Sequence, residues 1–226
     1  MVDIHIPGGH HPPVRAQPTD WNVLVLGAWN AAILTPAGIT RRLFKVDPRT
    51  PMTVEVAMNQ PGSFRVIHDE MIVDPTGGRL MVSPKRCTLP ELSKAASLVD
   101  VAIAALPETP VAAAGVNVGY DIDVVSEPLR DLLSEKLDRA LSEASYSISQ
   151  YSSKKTIEFQ DGQINVELVR TLEGSGKLTF NFHRVSEVGS DLRTWISMTA
   201  PMMKEVSKIC SILEVSLDAE GTPPNG

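Results

Sequence analysis

The sequence has few cysteines and no long apolar segment. Cys87 and Cys210 are its two cysteines, which gives no disulfide framework and is typical of a reducing compartment, where we expect buried structural thiols. The longest apolar segment, 23–34, contains Gly27 and Asn30 and is shorter than the roughly 18 residues of a membrane span. Residues 1–20 carry several prolines in place of the basic start and apolar centre of a secretory signal. We therefore expect a cytoplasmic protein with no membrane contact.

Recognised catalytic motifs are also missing from the sequence. It contains no phosphate-binding loop, no dinucleotide glycine fingerprint, no nucleophile elbow and no histidine pair at zinc spacing with a glutamate. We therefore expect no cofactor, no metal and no assignable catalytic residue. Enzymatic activity stays open, although this pattern argues against it.

Negative charge is concentrated in the second half of the chain. Residues 1–110 contain 10 Lys and Arg and 10 Asp and Glu, whereas residues 111–226 contain 11 and 17, which accounts for the whole net charge of −6. Binding along a nucleic-acid backbone needs clustered Lys and Arg side chains that neutralise phosphates. Nucleic acid is therefore not expected as a partner.

The order of predicted elements repeats along the chain. Residues 21–110 read as a strand, a helix, a three-stranded meander and a helix. Thr35-Pro36 and Thr88-Leu89-Pro90-Glu91 have the N-cap chemistry of helix starts. Turn residues at Asn59–Gly62 and Asp74–Gly78 separate the predicted strands of the meander.

The second half follows the same plan. A strand over 111–123 is followed by a helix that opens at Ser126-Glu127-Pro128, and Asp161-Gly162 predicts a hairpin turn. The last helix begins near Ser190 or Asp191, and Pro201 should kink it or divide it in two.

This pattern predicts an α+β fold with an internally duplicated β-α-β-β-β-α unit. We expect eight strands in one antiparallel-rich sheet or in two sheets, with the helices packed on one side. The two pseudo-repeats, 21–110 and 111–217, share a core and form a single domain. Segments 1–20 and 218–226 are expected to be flexible because they are rich in proline, glycine and polar residues.

Five residues are candidates for a ligand site or an interface. Asn30 and Asn117 each follow a glycine in an opening strand, where a glycine marks a bulge or a close backbone approach. Asp121 and Asp123 lie two apart in a predicted strand, so their carboxylates would share a face and could hold a hard cation with a third ligand. Trp195 lies on the apolar side of the last helix. Structural roles explain each of these residues as well.

Two segments resemble a known group of proteins. Residues 26–36, LGAWNAAILTP, and 106–117, LPETPVAAAGVN, are similar to segments in uncharacterised bacterial proteins of comparable size. The resemblance covers about a tenth of the chain and involves no catalytic motif. It implies a bacterial cytoplasmic origin and assigns no site residue.

Three functions remain open at this point. The first is a non-enzymatic interaction or adaptor subunit of a bacterial assembly, with a protein partner or self-association through exposed strand edges. The second is a small-ligand-binding protein or enzyme in which the sheet grips the C-terminal helix around an apolar cavity. The third is nucleic-acid recognition by a doubled saddle that resembles TATA-binding-type repeats, against which the acidic balance argues.

Overall fold

The chain folds around one large antiparallel sheet. A computed structural model describes residues 14–47, 49–56, 63–125, 129–130 and 136–218. Their strands form one ten-stranded sheet. Every neighbouring pair is antiparallel except one, in which residues 14–16 run parallel to residues 215–217. The fold is therefore α+β, as predicted.

The strands, in chain order, are β1 (Val14–Gly27), β2 (Thr53–Val56), β3 (Phe64–His68), β4 (Met71–Pro75), β5 (Arg79–Pro84), β6 (Val111–Ile122), β7 (Gln150–Phe159), β8 (Gly162–Thr171), β9 (Gly176–Val185) and β10 (Val215–Leu217). Within the sheet they follow the order β2-β3-β4-β5-β1-β6-β9-β8-β7, and β10 pairs with β1 off this path. The helices are α1 (Pro36–Ile39), which continues into a π-helical turn over Thr40–Phe44, α2 (Leu89–Ala105), α3 (Lys136–Glu143), α4 (Gly189–Ile196) and α5 (Thr199–Ile212).

Helices cover one face of the central strands. Helix α2 packs on β1 and β5, and α4 packs on β6 and β9. Along each of these strands, alternate side chains such as Val23, Val82, Val116 and Phe180 are fully buried under the helices. The residues between them are on the opposite face, since successive side chains of a strand point to opposite sides.

The helix-start chemistry acts as predicted. The Thr35 hydroxyl accepts a hydrogen bond from the Gly38 amide at 3.1 Å, and the Thr88 hydroxyl accepts one from the Glu91 amide at 3.4 Å. The predicted helix start at Ser126–Pro128 lies outside the described residues.

The division of the last helix falls just before Pro201. Helix α4 ends at Ile196 and α5 begins at Thr199. Proline is tolerated in the first turn of a helix because the amides there have no intrahelical acceptor. The chain therefore ends one helix and starts another instead of continuing through residue 201.

The prediction of eight strands was wrong, because the described residues form ten strands, one more than expected in each half of the chain. Residues 64–73 were expected to form one strand, but Asp69 and Glu70 have positive φ angles of 46° and 61°. Two consecutive left-handed residues make a tight hairpin turn, so β3 and β4 are separate strands. Residues 215–217 add β10.

Two predicted boundaries also shift. Strand β1 begins at Val14, before the expected domain start at residue 21, because residues 14–16 pair with β10 and residues 16–19 pair with β6. The hairpin between β7 and β8 turns at Gln160 and Asp161, since Phe159 pairs with Gly162. Gln160 has a φ angle of 50°, so a residue other than glycine takes the left-handed conformation in this turn.

An aromatic cluster joins the second half of the sheet to α4. The Trp195 ring makes an edge contact with Phe159 at 5.9 Å between centroids, and Phe159 makes one with Phe182 at 5.3 Å. Arg193, on the same helix, donates two hydrogen bonds to the Asp100 carboxylate of α2, at 2.6 and 3.1 Å. Helices α2 and α4 are thus tied to each other as well as to the sheet.

The packing at Trp195 requires a glycine at residue 162. A Cβ atom there would approach the His183 carbonyl oxygen to 2.5 Å and the Trp195 ring to 2.6 Å. We expect Gly162→Ala to lower the free energy of unfolding by about 1–3 kcal/mol, because overpacking displaces the ring or the backbone. Gly77→Ala is the matched control, since nothing lies within 4 Å of its added Cβ. Urea unfolding of both variants checks this, and equal losses would contradict it.

Candidate interaction surface on the open face of the sheet

The face of the sheet opposite the helices, here called the open face, carries a continuous row of polar side chains. The row crosses five neighbouring strands, β1, β6, β9, β8 and β7. Its members lie directly opposite one another in the strand register. We call it the amide row, and it consists of Asn22, Asn117, Asn181, Asn165 and Thr156.

Hydrogen bonds link the amide row from one end to the other in a single direction. The Thr156 hydroxyl donates to Asn165 Oδ1 at 2.7 Å, and Asn165 Nδ2 donates to Asn181 Oδ1 at 3.0 Å. Asn181 Nδ2 then donates to Asn117 Oδ1 at 2.5 Å, and Asn117 Nδ2 donates to Asn22 Oδ1 at 2.7 Å. Asn22 Nδ2 ends the series with a bond of 3.4 Å to the carbonyl oxygen of Asp20.

The interior amides of the row retain unused hydrogen-bonding capacity. Asn117, Asn165 and Asn181 each donate one of these bonds and accept one. A primary amide has two N–H donors and two acceptor lone pairs. Each of the three therefore has one further donor and one further acceptor for a molecule that lies on the open face. Neighbouring amides stand about 4.8 Å apart, the distance between paired strands.

The strands beside the row approach one another closely at Gly119. A Cβ atom on this residue would lie 2.8 Å from the carbonyl oxygen of Thr19. Strand β1 is bulged between Thr19 and Asn22, and Asp20 has a φ angle of 54°. The Trp21 indole N–H donates to the Gly119 carbonyl oxygen at 3.1 Å. The bulge thus turns Trp21 into the core and restores Asn22 to the open face.

Among the residues that the structure describes, the middle of the open face contains no Lys, Arg, Asp or Glu. Most of its side chains are partly exposed. Its two glycines have no side chain, so the surface at these positions is formed by backbone. We call this region the central patch, and it consists of Asn22, Leu24, Met81, Ser83, Gly115, Asn117, Gly119, Thr179, Asn181 and His183.

Charged side chains of both signs surround the central patch. Asp74 is buried and forms ion pairs with Arg65 at 3.4 Å and with Arg79 at 3.8 Å. Lys177 forms an ion pair with Asp20. Acidic residues slightly outnumber basic ones along this border. We call the border the rim, and it consists of Arg15, Asp20, Glu55, Arg65, Asp74, Arg79, Asp121, Lys154, Glu158, Glu167 and Lys177.

One of the five candidates from the sequence lies in the amide row, namely Asn117. Asn30 is exposed after the end of β1, where its side chain accepts a hydrogen bond from the Ala32 amide at 2.9 Å. Asp121 belongs to the rim. Asp123 follows the end of β6, so the two residues do not lie in one strand as expected. Trp195 is fully buried on the helix side of the sheet.

Sequence reasoning did not find Asn22, Asn165 and Asn181. Asparagine is disfavoured in strands, because its side chain competes for backbone hydrogen bonds. Each of these residues is flanked by apolar residues that point into the core. In the sequence it therefore looks like an ordinary exposed position of a strand in which polar and apolar residues alternate. Four asparagines in strand interiors were the available signal.

A separate cleft lies on the helix side, between α2, the π-helical turn and the β3–β4 hairpin. It has a volume of about 450 Å³, and its lining includes Phe44, His68, Met71, Leu98 and Val101. Among the described residues, no three His, Cys, Asp or Glu side chains are arranged to hold a metal ion. No described helix is long and apolar enough to cross a membrane.

Neither a scan against protein-family models nor a search of curated proteins finds a match for this chain. The surface chemistry of the open face is therefore the basis for the functional proposal below.

The amide row predicts a graded response to substitution. Asn117→Ala removes two hydrogen bonds, and we expect it to lower the free energy of unfolding by about 1–2 kcal/mol. Thr156→Val, at the exposed end of the row, removes one bond and should cost less than about 1 kcal/mol. Urea unfolding measures both.

A double-mutant cycle tests whether the row acts as a connected unit. Asn117→Ala and Asn181→Ala, at neighbouring positions, should couple by at least about 0.5 kcal/mol. Asn22→Ala and Thr156→Val, at opposite ends, should be additive. Additive effects at the neighbouring pair would contradict the hydrogen-bonded row.

The two thiols should differ in reactivity. Burial raises the pKa of Cys210 to about 12, so the reactive thiolate is scarce at pH 8 and reagent access is blocked. Cys87 is partly exposed. We expect one thiol to react with a disulfide reagent in the folded protein and two in urea. Cys210→Ala should retain the first reaction and lose the second, and prompt labelling of two thiols in the folded chain would contradict this.

Proposed function

We propose that this protein is a non-enzymatic interaction subunit that binds a protein partner through the open face of its sheet. The observation that carries the proposal is the division of this face into an uncharged central patch and a charged rim. Stable protein interfaces have this arrangement, with charged residues depleted at the centre and polar groups at the border. Leu24 and Met81 supply apolar contact area within the patch.

The amide row favours a partner that offers its own donors and acceptors. Burying an amide without a hydrogen-bond partner is unfavourable, so the free N–H and carbonyl groups of Asn117, Asn165 and Asn181 would select against a purely apolar surface. A partner with hydroxyl and amide side chains beside apolar ones fits this chemistry. The rim, with both signs of charge, would fix its orientation.

Nucleic acid is less well matched to the same face. Binding to a phosphate backbone depends on clustered positive charge, whereas the basic side chains of the rim are balanced by acidic ones such as Asp74 and Asp121. Arg65, Arg79 and Lys177 also form ion pairs with carboxylates of the same chain, which compete with phosphate groups for these side chains. This balance supports a protein partner.

The packing of the described residues between the sheet and the last helices argues against a ligand at that place. Trp195, Met202 and Val206 are fully buried there, and the Trp195 ring contacts Phe159. Side chains fill the space in which a gripped ligand would lie.

The proposed subunit has an architecture compatible with duplication of one β-α-β-β-β-α unit. In the strand order, β5, β4 and β3 follow β1 on one side, and β9, β8 and β7 follow β6 on the other. Strand β2 has no counterpart in this order. The proposed symmetry axis passes between β1 and β6, beneath the central patch. A partner on the patch would therefore contact both units.

Binding through the open face is tested with substitutions that block it. Thr179→Arg and Leu24→Arg place a large charged side chain in the central patch, and Lys204→Glu changes an exposed charge on α5, on the helix side. Affinity isolation from the native host identifies a partner, and calorimetry with the purified partner measures each variant. We expect both patch variants to weaken binding at least about tenfold, since each buries an unpaired charge, and Lys204→Glu to leave it unchanged.

Two outcomes would overturn the proposal. One is a partner that binds both patch variants with unchanged affinity. The other is binding of labelled duplex DNA or single-stranded RNA at low salt, measured by fluorescence anisotropy, with an affinity that falls steeply as salt is added. Urea unfolding of each variant establishes that it is folded.

A further inference from the structure

Strand β7 ends the described sheet and presents a long free edge. It has ten residues, Gln150–Phe159, and none of them is buried. Its inner edge pairs with β8 along its whole length, and no described strand pairs with its outer edge. Alternate residues of such an edge direct unpaired N–H and C=O groups outward, which is a template for another strand.

The opposite end of the sheet offers a much weaker template. Strand β2 has four residues, Thr53–Val56. Short edge strands are one way in which proteins discourage pairing. A docked strand would therefore gain far more hydrogen bonds at β7.

Charge restricts which strand can pair with β7. Lys154 and Lys155 lie at its middle, and lysines on an edge strand discourage pairing with strands that lack a matching acid. Lys154 and Glu158 point to the open face, and Lys155 and Ile157 point to the other face, because side chains alternate. A matching strand must place an acidic residue opposite Lys154 on the open face.

The β7 strand of a second copy meets this requirement in one antiparallel register. Pairing Thr156 with Thr156 of the second copy sets Lys154 opposite Glu158 on both sides of the two-fold axis. On the other face, Lys155 is opposite Ile157 and Ser153 is opposite Phe159. Ile157, with 41% of its surface exposed, would be covered by the lysine stem.

Shifted registers lack this match. Centring the pair on Lys154 or on Lys155 sets two lysines directly opposite each other, which destabilises a strand pair. Centring it on Ile157 sets Glu158 opposite Thr156 and leaves Lys154 without an acidic partner.

We propose that two copies of this chain associate by antiparallel pairing of their β7 strands about Thr156. The contact is isologous, as is usual for homodimers, and it joins the two sheets into one. The open faces of both copies then lie side by side, with the two amide rows in line. This inference concerns the edge of the sheet and does not depend on a partner for the central patch.

The dimer is tested with the purified chain alone, by analytical ultracentrifugation over a range of concentrations. Glu158→Lys places a second positive charge opposite Lys154 of the other copy, and we expect the dimer to weaken at least about tenfold, since two attractive pairs become two repulsive ones. The double variant Lys154→Glu with Glu158→Lys restores opposite charges and should restore the dimer. Glu173→Lys, in the exposed turn after β8, is the matched control and should leave it unchanged.

Hydrogen exchange supplies an independent readout. Because alternate residues pair across the new contact, the amides of Lys154, Thr156 and Glu158 should be protected more at high than at low protein concentration. The Glu158→Lys variant should lose this difference while its urea unfolding stays close to that of the parent. A chain that is monomeric at all concentrations, or a dimer that Glu158→Lys does not weaken, would overturn the inference.

Discussion

The antiparallel pairing of β1 with β6 is the interaction on which the rest of the structure depends. It joins the first and second halves of the chain at the centre of one sheet. On one face, the pair presents Val23 and Val116 to the helices, so that α2 and α4 share a single core. On the other face, it sets Asn22 beside Asn117 and begins the amide row. A one-residue slip in this register would exchange the two faces.

Much of the fold could be predicted from local chemistry. Thr35 and Thr88 cap helices through hydrogen bonds that lie within four residues of the chain. Pro201 interrupts a helix whatever the tertiary contacts around it. The turn at Asp69 and Glu70 was missed because Asp69 tolerates the left-handed conformation but is followed by Glu70, where a glycine usually completes such a turn, so the local signal for separating β3 from β4 was weak. Strand β10 was missed because its pairing with β1 joins residues far apart in the sequence.

The candidate surface was harder to predict than the fold, for a related reason. A single asparagine in a strand reads as an ordinary exposed residue. Asn165 and Asn181 become a row with Asn117 only when the neighbouring strands β8 and β9 are placed in register with β6, which is distant in the sequence. Candidates chosen by spacing, such as Asp121 and Asp123, depended on a strand that ends at Ile122. Sequence spacing carries information within one element and little across a sheet.

The single direction of the hydrogen bonds in the amide row gives the sheet a polarity perpendicular to its strands. Reversing one amide would set donor against donor on one side and acceptor against acceptor on the other, so the row can only reverse as a whole. Two rows related by a two-fold axis run in opposite senses. The Thr156 hydroxyl donates inward, so two such hydroxyls would face each other as acceptors, and a water molecule with its two O–H donors is the smallest group that joins them.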